Sequence, residues 1–294
     1  MLKYLLLIFT IFIFTSCTNE VSKDKIKMGY GSWVGYTPFK IAKKNGYFKH
    51  TIEAHEIPNS SESIRLFKNG LLDIVAVTMD EAMSLYEIDK DISIILVIDH
   101  SVGADVVLAN SKIKSIKDLK NKRIGYESGA VGAFLMAMVL KESGLSINDI
   151  KPKHISYHQH IQAYDNDEVD AIITFEPNKT ELINKGAKSI YDSSKMPYII
   201  LDVLVVRKSL VDSNDPRLYT LVDAWFKAID GINYDGIGLL DKKQNIELLR
   251  DEKILKISKD ILKIMKENKL IANDDLDIKK LINADFLEGV KNEI

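Results

Sequence analysis

Polar and aromatic side chains of this 294-residue chain are concentrated in five short segments, each of which directly follows a predicted strand. In open α/β sheets, ligands bind outside the carboxyl ends of the strands. Carboxylates at these positions accept hydrogen bonds, hydroxyls donate them, and aromatic rings stack on flat molecules. The pattern predicts a binding site built from the segments GSWVGYTP (31–38), VTMDEA (77–82), DHSVGADVV (99–107), YESGAVGAF (126–134) and TFEPN (174–178).

The candidate ligand-binding residues come from these segments and from one strand–helix junction, HQHIQAY (158–164). Asp105 is the strongest candidate for a carboxylate that faces the ligand, and the alternative is that it only caps a turn. Glu176 would present a second carboxylate, while Trp33 and Tyr36 would supply apolar or stacking walls. The full set is Trp33, Tyr36, Thr78, Asp99, Ser101, Gly103, Asp105, Ser128, Gly129, Ala130, His160, Phe175 and Glu176.

The residue types in the five segments favour a ligand that donates hydrogen bonds. Carboxylates only accept, so they match an amine, an amidine-like edge or an amino-pyrimidine. No arginine lies in any of the five segments, although arginine is the usual partner of a sulfonate or a carboxylate. The backbone N–H groups of residues 128–131 precede a predicted helix and could hold an anion without arginine. We therefore expect a nitrogen-bearing planar or amine ligand, with an anion as the open alternative.

Motifs for catalysis and metal binding are weak in this sequence. His154, His158 and His160 lack a second thiol or a clear carboxylate partner, so we expect no metal site. Neither GxGxxG nor GxxxxGK[ST] occurs, and no Ser/His/Asp order is evident. A net charge of −2 gives no basic field for nucleic acid. The sequence predicts a binding protein without a catalytic residue, cofactor or nucleic-acid partner.

The elements that must position these residues alternate between strands and helices, which predicts an α/β fold with mostly parallel sheets. The pattern restarts after Asn110, so we expect two doubly wound lobes. The second would be inserted between two long strands, roughly 96–109 and 198–208, whose two crossings would form a hinge. Lobe one is predicted to comprise 26–105 and 203–294, including a helical C-terminal segment, and lobe two 106–202.

The N-terminus has the features of a secretory signal peptide. One lysine precedes the apolar run YLLLIFTIFIF, which is too short to span a bilayer, and small residues follow. The single cysteine, Cys17, comes directly after Thr15 and Ser16. This order resembles a bacterial lipobox, although Phe14 stands where leucine is usual; an ordinary signal peptide is the alternative. We expect a signal peptide over 1–16, lipidation of Cys17 and a tether over 17–25, which would anchor the protein in the periplasm or at the cell surface.

Several segments resemble the nitrate/taurine/sulfonate-type solute-binding proteins of ABC importers, a group that includes the Thi5/NMT1-like proteins. The resemblance runs in order from residue 26 to about residue 232. The segments that carry it are GYGSWVGYTPFKIAKKNGYF, TMDEA, VIDHSVGADVVLA, DLKNKRIGYESGAVGAFLMAMVLKESGLSINDI, EVDAIITFEP and YDSSKMPYIILDVLVVR.

The resemblance implies a type II periplasmic-binding fold that holds a small molecule between two lobes. The expected protein partner is an ABC permease or, as a second hypothesis, a membrane sensor that reads ligand occupancy; we expect the chain itself to be a monomer. A Thi5-like pyrimidine synthase or a menaquinone-pathway enzyme shares the fold as a third hypothesis. The cysteine-rich stretch of the first of these enzymes is absent, since the mature chain would contain only Cys17.

Overall fold

The structure is a computed structural model that describes residues 25–273 and 275–289. The predicted signal peptide and Cys17 lie outside the described residues. Across these ranges, no helix has both the length and the apolar character that crossing a membrane requires. The strands are β1 (Ile26–Tyr30), β2 (Ile52–Glu56), β3 (Ile74–Thr78), β4 (Ile92–Ser101), β5 (Val106–Ala109), β6 (Arg123–Tyr126), β7 (Lys151–His154), β8 (Ala171–Thr174), β9 (Lys188–Asp192), β10 (Leu201–Arg207) and β11 (Ile237–Leu239).

Helices separate most of the strands, as the alternating pattern predicted. The α-helices are α1 (Thr37–Lys44), α2 (Ser60–Lys68), α3 (Met79–Ile88), α4 (Val131–Ser143), α5 (His160–Asp165), α6 (Asn178–Asn184), α7 (Lys208–Asp212), α8 (Pro216–Ile229), α9 (Lys242–Arg250), α10 (Glu252–Glu267) and α11 (Ile278–Leu281). Local sequence sets several of their ends. Pro216 begins α8, whose N-cap Asp215 accepts from the backbone N–H of Arg217, and Gly144 ends α4 in the left-handed conformation.

The strands form two sheets of related topology. The larger sheet has the order β11-β4-β10-β3-β1-β2 and the smaller one β7-β6-β8-β5-β9. In each, three parallel strands are followed by an antiparallel pair: β2-β1-β3 then β10-β4, and β7-β6-β8 then β5-β9. Lobe one is built on the larger sheet and lobe two on the smaller, so the predicted two-lobed α/β fold is confirmed.

The two long predicted strands are each interrupted where the chain passes between lobes. The first is divided into β4 of lobe one and β5 of lobe two, because Gly103 has a φ of +105° and takes the chain out of the strand conformation. The second begins only at Leu201, two residues before the predicted return to lobe one at 203, so Asp202 lies in the larger sheet. We name residues 102–105 and 193–200 the two crossings.

Hydrogen bonds tie the two crossings to each other. The hydroxyl of Ser193 lies 2.7 Å from that of Ser101 and accepts from the backbone N–H of Gly103 at 2.7 Å. The N–H of Ser101 donates to the carbonyl of Ile200 at 3.0 Å. The ring of His100 stacks on that of Tyr198 with centroids 4.3 Å apart. The crossings therefore form one paired connection at the position where the sequence predicts a hinge.

The core of lobe one is the larger of the two lobe cores and includes the C-terminal helices. Trp225 of α8 is fully buried and packs against Phe39 of α1, with ring centroids 4.6 Å apart. The buried stripe of α10 includes Ile254, Ile261 and Met265. This helix packs against α3 of lobe one and α4 of lobe two. The predicted helical C-terminal segment therefore contacts both lobes.

Candidate ligand-binding cleft

A narrow cleft lies between the two lobes beside the crossings. In this closed arrangement its cavity has a volume of about 30 Å³, enough for one or two water molecules, so a larger ligand requires the lobes to separate further than they do here. Both lobes and both crossings contribute to its walls, so the structure holds the lobes in a closed arrangement. The lining residues are Gly31, Ser32, Trp33, Tyr36, Pro58, Asn59, Ser60, Thr78, Asp105, Val131, Tyr157, Phe175, Ile200 and Asp202.

Aromatic rings from the two lobes meet across this cleft. Trp33, in the turn after β1, contacts Phe175, which follows β8, edge to face with centroids 5.6 Å apart. Phe175 stacks on Tyr157 with centroids 4.2 Å apart and an interplanar angle of 4°. Offset and edge-to-face pairs of this kind are favourable arrangements of aromatic rings. They give the cleft flat walls suited to a planar group.

Two carboxyl groups face the cavity, and a third lies directly behind an aromatic wall. Asp105 ends the first crossing and Asp202 lies in β10; both line the cleft. Asp202 accepts a short hydrogen bond from the hydroxyl of Tyr36. Asp99, fully buried, accepts from the indole N–H of Trp33 at 3.0 Å. The strands bring these acids together because Asp202 pairs in register with Asp99.

Burial changes the protonation of these acids. It raises the pKa of Asp105 to about 6, against the opposing hydrogen bond from Ser101. Burial likewise raises the pKa of Asp99, and it raises that of Asp202 further because the charges of Asp99 and Asp105 act in the same direction. The cleft therefore favours neutral carboxyls until a positive group compensates their charge.

Glu81 occupies the helix N-terminus that the sequence offered to an anion. One of its oxygens accepts from the backbone N–H of Thr78 at 3.0 Å. The other reaches across the cleft and accepts from the N–H of Val131, at the start of α4, at 3.2 Å. The N–H of Val131 is therefore already bound by a carboxylate of the protein and is not free to hold an anionic ligand at residues 128–131. A second bond between lobes joins the Ser61 hydroxyl to Glu127 at 3.1 Å.

The arginines of the chain form ion pairs outside the cleft. None of them is among its lining residues, in agreement with the absence of arginine from the five segments. Their carboxylate partners are Glu62 for Arg65, Asp167 and Asp170 for Arg123, Asp89 for Arg207, Asp215 for Arg217, and Asp285 and Glu288 for Arg250.

The structure brings part of the predicted set to the main cleft and part to a smaller cavity beside it. Trp33, Tyr36, Thr78, Asp105 and Phe175 line the cleft. The smaller cavity, of about 10 Å³, shares Asp105 and Phe175 with the cleft and adds Ala130 and His160.

His160 lies against this smaller cavity with both of its ring nitrogens already engaged. They lie 3.0 Å from the Thr174 hydroxyl and 3.1 Å from the Ile155 carbonyl. Burial lowers the pKa of His160 to about 4. The ring therefore supports the wall as a neutral group.

The remaining predicted residues take structural positions. Ser101 and Gly103 bind the second crossing through Ser193. Asp99 lies behind Trp33 rather than on the cleft wall. Ser128 and Gly129 are exposed, outside both cavities.

Glu176 also serves the fold rather than the cleft. Its carboxylate accepts from the backbone N–H of Thr180 at 3.2 Å and from the Thr180 hydroxyl at 2.9 Å. It thereby caps the first turn of α6, a helix that the sequence did not predict, and it does not line the cavity.

Sequence reasoning missed several residues that line the cleft, above all Asp202 and Tyr157. Asp202 is the single charged residue in the apolar run YIILDVLVV, and an acid inside a buried strand was the available signal. Tyr157 precedes His160 in a short 3₁₀ turn that has no comparable signal. Asn59 and Ser60 come from the start of α2, outside the five segments.

Two buried hydroxyls of residues that line the cleft make no hydrogen bond of normal geometry within the described part of the chain, although Asp80 lies near the first and the backbone of Asn178 near the second. They are Thr78 Oγ1 and Tyr157 Oη, whose residues are 6% and 5% exposed. Buried polar groups are nearly always hydrogen-bonded, so an unpaired hydroxyl at a cavity marks a position where a ligand atom fits. Over the same described ranges, no group of three or more His, Cys, Asp or Glu residues is arranged to hold a metal ion.

Known proteins share this architecture. A protein of Escherichia coli (strain K12), described as an aliphatic sulfonates-binding protein, is 22% identical over 185 residues, which span 60% of this chain and 57% of that protein. The alkanesulfonate-binding protein SsuA from Xanthomonas axonopodis pv. citri, bound to MOPS, has a TM-score of 0.74 at 16% identity, over 88% of this chain and 98% of that one. The periplasmic nitrate-binding protein NrtA from Synechocystis PCC 6803 has a TM-score of 0.58 at 11% identity, over 83% and 66% of the chains.

These similarities define first the fold and then the family. The two lobes, the paired crossings and the cleft form the type II periplasmic-binding fold of ABC solute-binding proteins, as the resemblance implied. Residues 19–237 match the NMT1-like family, so the chain belongs to that family.

Proposed function

We propose that this protein is the solute-binding component of an ABC importer, which captures a small nitrogen-bearing molecule in its cleft and delivers it to a membrane permease. The observation that carries the proposal is the pair of acids, Asp105 and Asp202, facing a cavity with aromatic walls beside the hinge. In proteins of this shape a ligand stabilises the closed form, and a partner recognises that form.

Contacts between the lobes support capture by closure. Trp33 meets Phe175 across the cleft, and the Glu81 carboxylate binds the N-terminus of α4. Each contact joins one side chain near the ligand cavity to an element of the other lobe. Such contacts form only when the lobes close, so they couple occupancy of the cavity to the shape that a permease would read.

The matched relatives are binding proteins by name, and we extend binding without catalysis to this chain. Lipidation of Cys17 would hold the protein at the outer face of a bacterial membrane, in reach of a permease. Labelling with radioactive palmitate tests the anchor: the wild-type chain should be labelled and Cys17→Ala should not. Persistent labelling of the variant would contradict it.

Native mass spectrometry of the purified mature protein tests ligand capture directly. We expect a bound small molecule that is released on denaturation, and an Asp105→Asn variant that retains much less of it. The matched control is Asp212→Asn, because Asp212 makes an exposed ion pair with Lys208 far from the cleft. Equal retention by both variants would remove Asp105 from the binding site.

A further inference from the structure

We propose that the molecule held in the cleft is an organic cation, with its charged nitrogen between Asp105 and Asp202 and its flat body against Trp33 and Phe175. This inference rests on the proposed function and makes it more specific. Hydrogen-bond acceptors alone would also accept a neutral donor. The stronger claim, that the ligand carries positive charge, comes from the charges around the cavity.

Buried acids lie around the two cavities, four of them on the larger sheet and its helix α3, one in the first crossing and one, Glu127, in lobe two. The six residues are each 8% exposed or less and lie close enough to raise one another's pKa: Asp80, Glu81, Asp99, Asp105, Glu127 and Asp202. A buried charge is unfavourable unless it is paired. The protein keeps these groups together in spite of that cost, which points to a ligand that pairs with them.

Basic groups near the cluster are few and are engaged elsewhere. The Lys179 ammonium, the cation that acts on Asp105, donates to the carbonyl of Gly103 at 3.1 Å and lies 3.5 Å from Glu176. His158 acts weakly on Glu127 from an exposed position. His160 is neutral, as shown above. Among the described residues, Asp105 therefore has only the partly engaged Lys179 ammonium to compensate its charge, and no basic group is among those that shift the pKa of Asp202.

An anionic ligand would find a poor environment here. It would lie against Asp105, whose carboxyl is ionised above about pH 6, and like charges a few ångströms apart repel strongly in a buried site. The donors that usually hold anions are used elsewhere, since the arginines pair on the outer surface and Glu81 takes the N–H of Val131. A cation would relieve the repulsion among the acids.

Independent features of the wall point to a ligand of the same kind. Tyr157 lines the cavity, and its buried hydroxyl, on which the backbone of Asn178 acts without a hydrogen bond of normal geometry, can bind a further polar atom of the ligand. A cation placed over the face of Trp33 or Phe175 is stabilised by about 0.5–2 kcal/mol, whereas a neutral heteroaromatic ring can pack against either a face or an edge. An aromatic amidinium or a protonated amino-heterocycle satisfies both features.

The test separates small molecules by charge before asking which of them bind. Deproteinised yeast extract is divided by ion exchange into a cationic, an anionic and an unretained pool. Each pool is titrated into the full mature protein while thermal unfolding and intact mass are followed. Three defined probes of similar size accompany the pools: benzamidine as the cation, benzyl alcohol as the neutral molecule and benzenesulfonate as the anion.

We expect stabilisation and a mass increase with the cationic pool, and tighter binding of benzamidine than of benzyl alcohol or benzenesulfonate. Asp105→Asn and Asp202→Asn should each weaken binding by roughly tenfold or more, as for loss of one partner of a buried charge pair. Asp212→Asn should bind as the wild type does. Should one of the two variants fail to fold, the other still provides the comparison.

The outcomes separate this inference from the proposed function. Binding from the anionic or the unretained pool alone would overturn the cation and leave solute capture intact. Binding of the cationic pool with unchanged affinity in both Asp→Asn variants would overturn the position of the charge. Failure of every pool and every probe to bind would count against solute capture itself.

Discussion

The acids inside the cleft and the acids on the outer surface have opposite environments. Outside, Asp170 is paired with Arg123 at 2.9 Å, and hydrogen bonds from that guanidinium lower the pKa of the carboxyl. Inside, burial raises the pKa of Asp99 and Asp105. The chain therefore neutralises its acids where they support the fold and leaves them uncompensated where a ligand would bind.

The largest expected effect of this difference is on the pH dependence of stability without ligand. The folded-state pKa values of the inner acids are raised, to about 6 for Asp80 and Asp105 and about 8 for Glu81, above ordinary values near 4. Between pH 4 and about pH 8, the folded state binds more protons than the unfolded state, so the free energy of unfolding falls as pH rises. At roughly 1.4 kcal/mol per pKa unit, the free energy of unfolding should drop by several kcal/mol from pH 5 to pH 8.

Urea unfolding at pH 3, 5 and 8 measures this dependence. Below pH 4 the outer acids should reverse the trend, because the lowered pKa of Asp170 makes its contribution disappear as the carboxyl is protonated. Stability should therefore be greatest near pH 4, between these two ranges. A profile that is flat or rises from pH 5 to pH 8 would contradict the environment assigned to the inner acids.

Replacing aspartate by asparagine should stabilise the protein at an inner acid and destabilise it at an outer acid. Asp99→Asn keeps an acceptor for the indole of Trp33 and removes a buried charge, so it should stabilise the ligand-free protein at pH 8 by about 2 kcal/mol and hardly at all at pH 5. Asp170→Asn weakens the hydrogen bonds from Arg123 and should destabilise by about 1–2 kcal/mol. Differential scanning calorimetry at the two pH values compares them.

If Asp99→Asn and Asp170→Asn both stabilised or both destabilised the protein at pH 8, the proposed difference between inner and outer acids would be contradicted. An Asp99→Asn shift of the same size at pH 5 and pH 8 would also contradict it, because a shift independent of pH reports packing and not ionisation.

Sequence reasoning succeeded where local patterns determine the structure. Buried strands such as β3, whose residues IVAVT are all buried, and capped helices such as α8 follow from periodicity and end signals. It missed β9, in which only Tyr191 of the residues KSIYD is buried, because a strand with a single buried side chain lacks the apolar pattern that marks a core strand. The fold was therefore more predictable than the details of its exposed elements.

The site was predictable only in part, because its decisive pairings cross long sequence separations. Asp202 meets Asp99 through a strand register between antiparallel neighbours, which no local motif encodes. Glu176 had the right residue type at a strand end, but it caps its own following helix. The N–H of Val131 was expected to be free and is bound by Glu81, fifty residues earlier in the chain. Sequence patterns therefore predict where the cleft lies, whereas contacts between residues distant in sequence determine which side chains face it.

Two buried tyrosines extend the comparison from charges to hydroxyls. The hydroxyl of Tyr191, in lobe two, donates to Glu142 at 2.7 Å, whereas that of Tyr157 makes no hydrogen bond of normal geometry within the described residues. Tyr191→Phe should destabilise the ligand-free protein by about 1 kcal/mol, while Tyr157→Phe should leave its stability unchanged or slightly raised. Equilibrium unfolding in urea measures both.

The effects of the same two substitutions on ligand affinity should be reversed, with the larger effect at Tyr157. Tyr157→Phe should weaken binding of the molecule retained by the purified protein by a few fold, since the hydroxyl makes no hydrogen bond of normal geometry within the protein and can bind a ligand atom. Tyr191→Phe should bind normally. If Tyr157→Phe destabilises the ligand-free protein as much as Tyr191→Phe does, the Tyr157 hydroxyl already has a partner and is not available to a ligand.

The smallest effect is expected at an ion pair that joins the lobes on the outer surface. Lys141 of α4 and Glu267 of α10 lie 2.7 Å apart with side chains 55% and 41% exposed. Exposed pairs are screened by salt and contribute little, so Glu267→Gln should change neither the unfolding midpoint nor ligand affinity measurably.

The inner contact between the lobes, from Glu81 to the N–H of Val131, is buried. Glu81→Gln should therefore alter ligand affinity several-fold, because it changes how the lobes close. Isothermal titration of both variants compares the two contacts, and a larger effect from Glu267→Gln would place control of closure on the surface and not in the cleft.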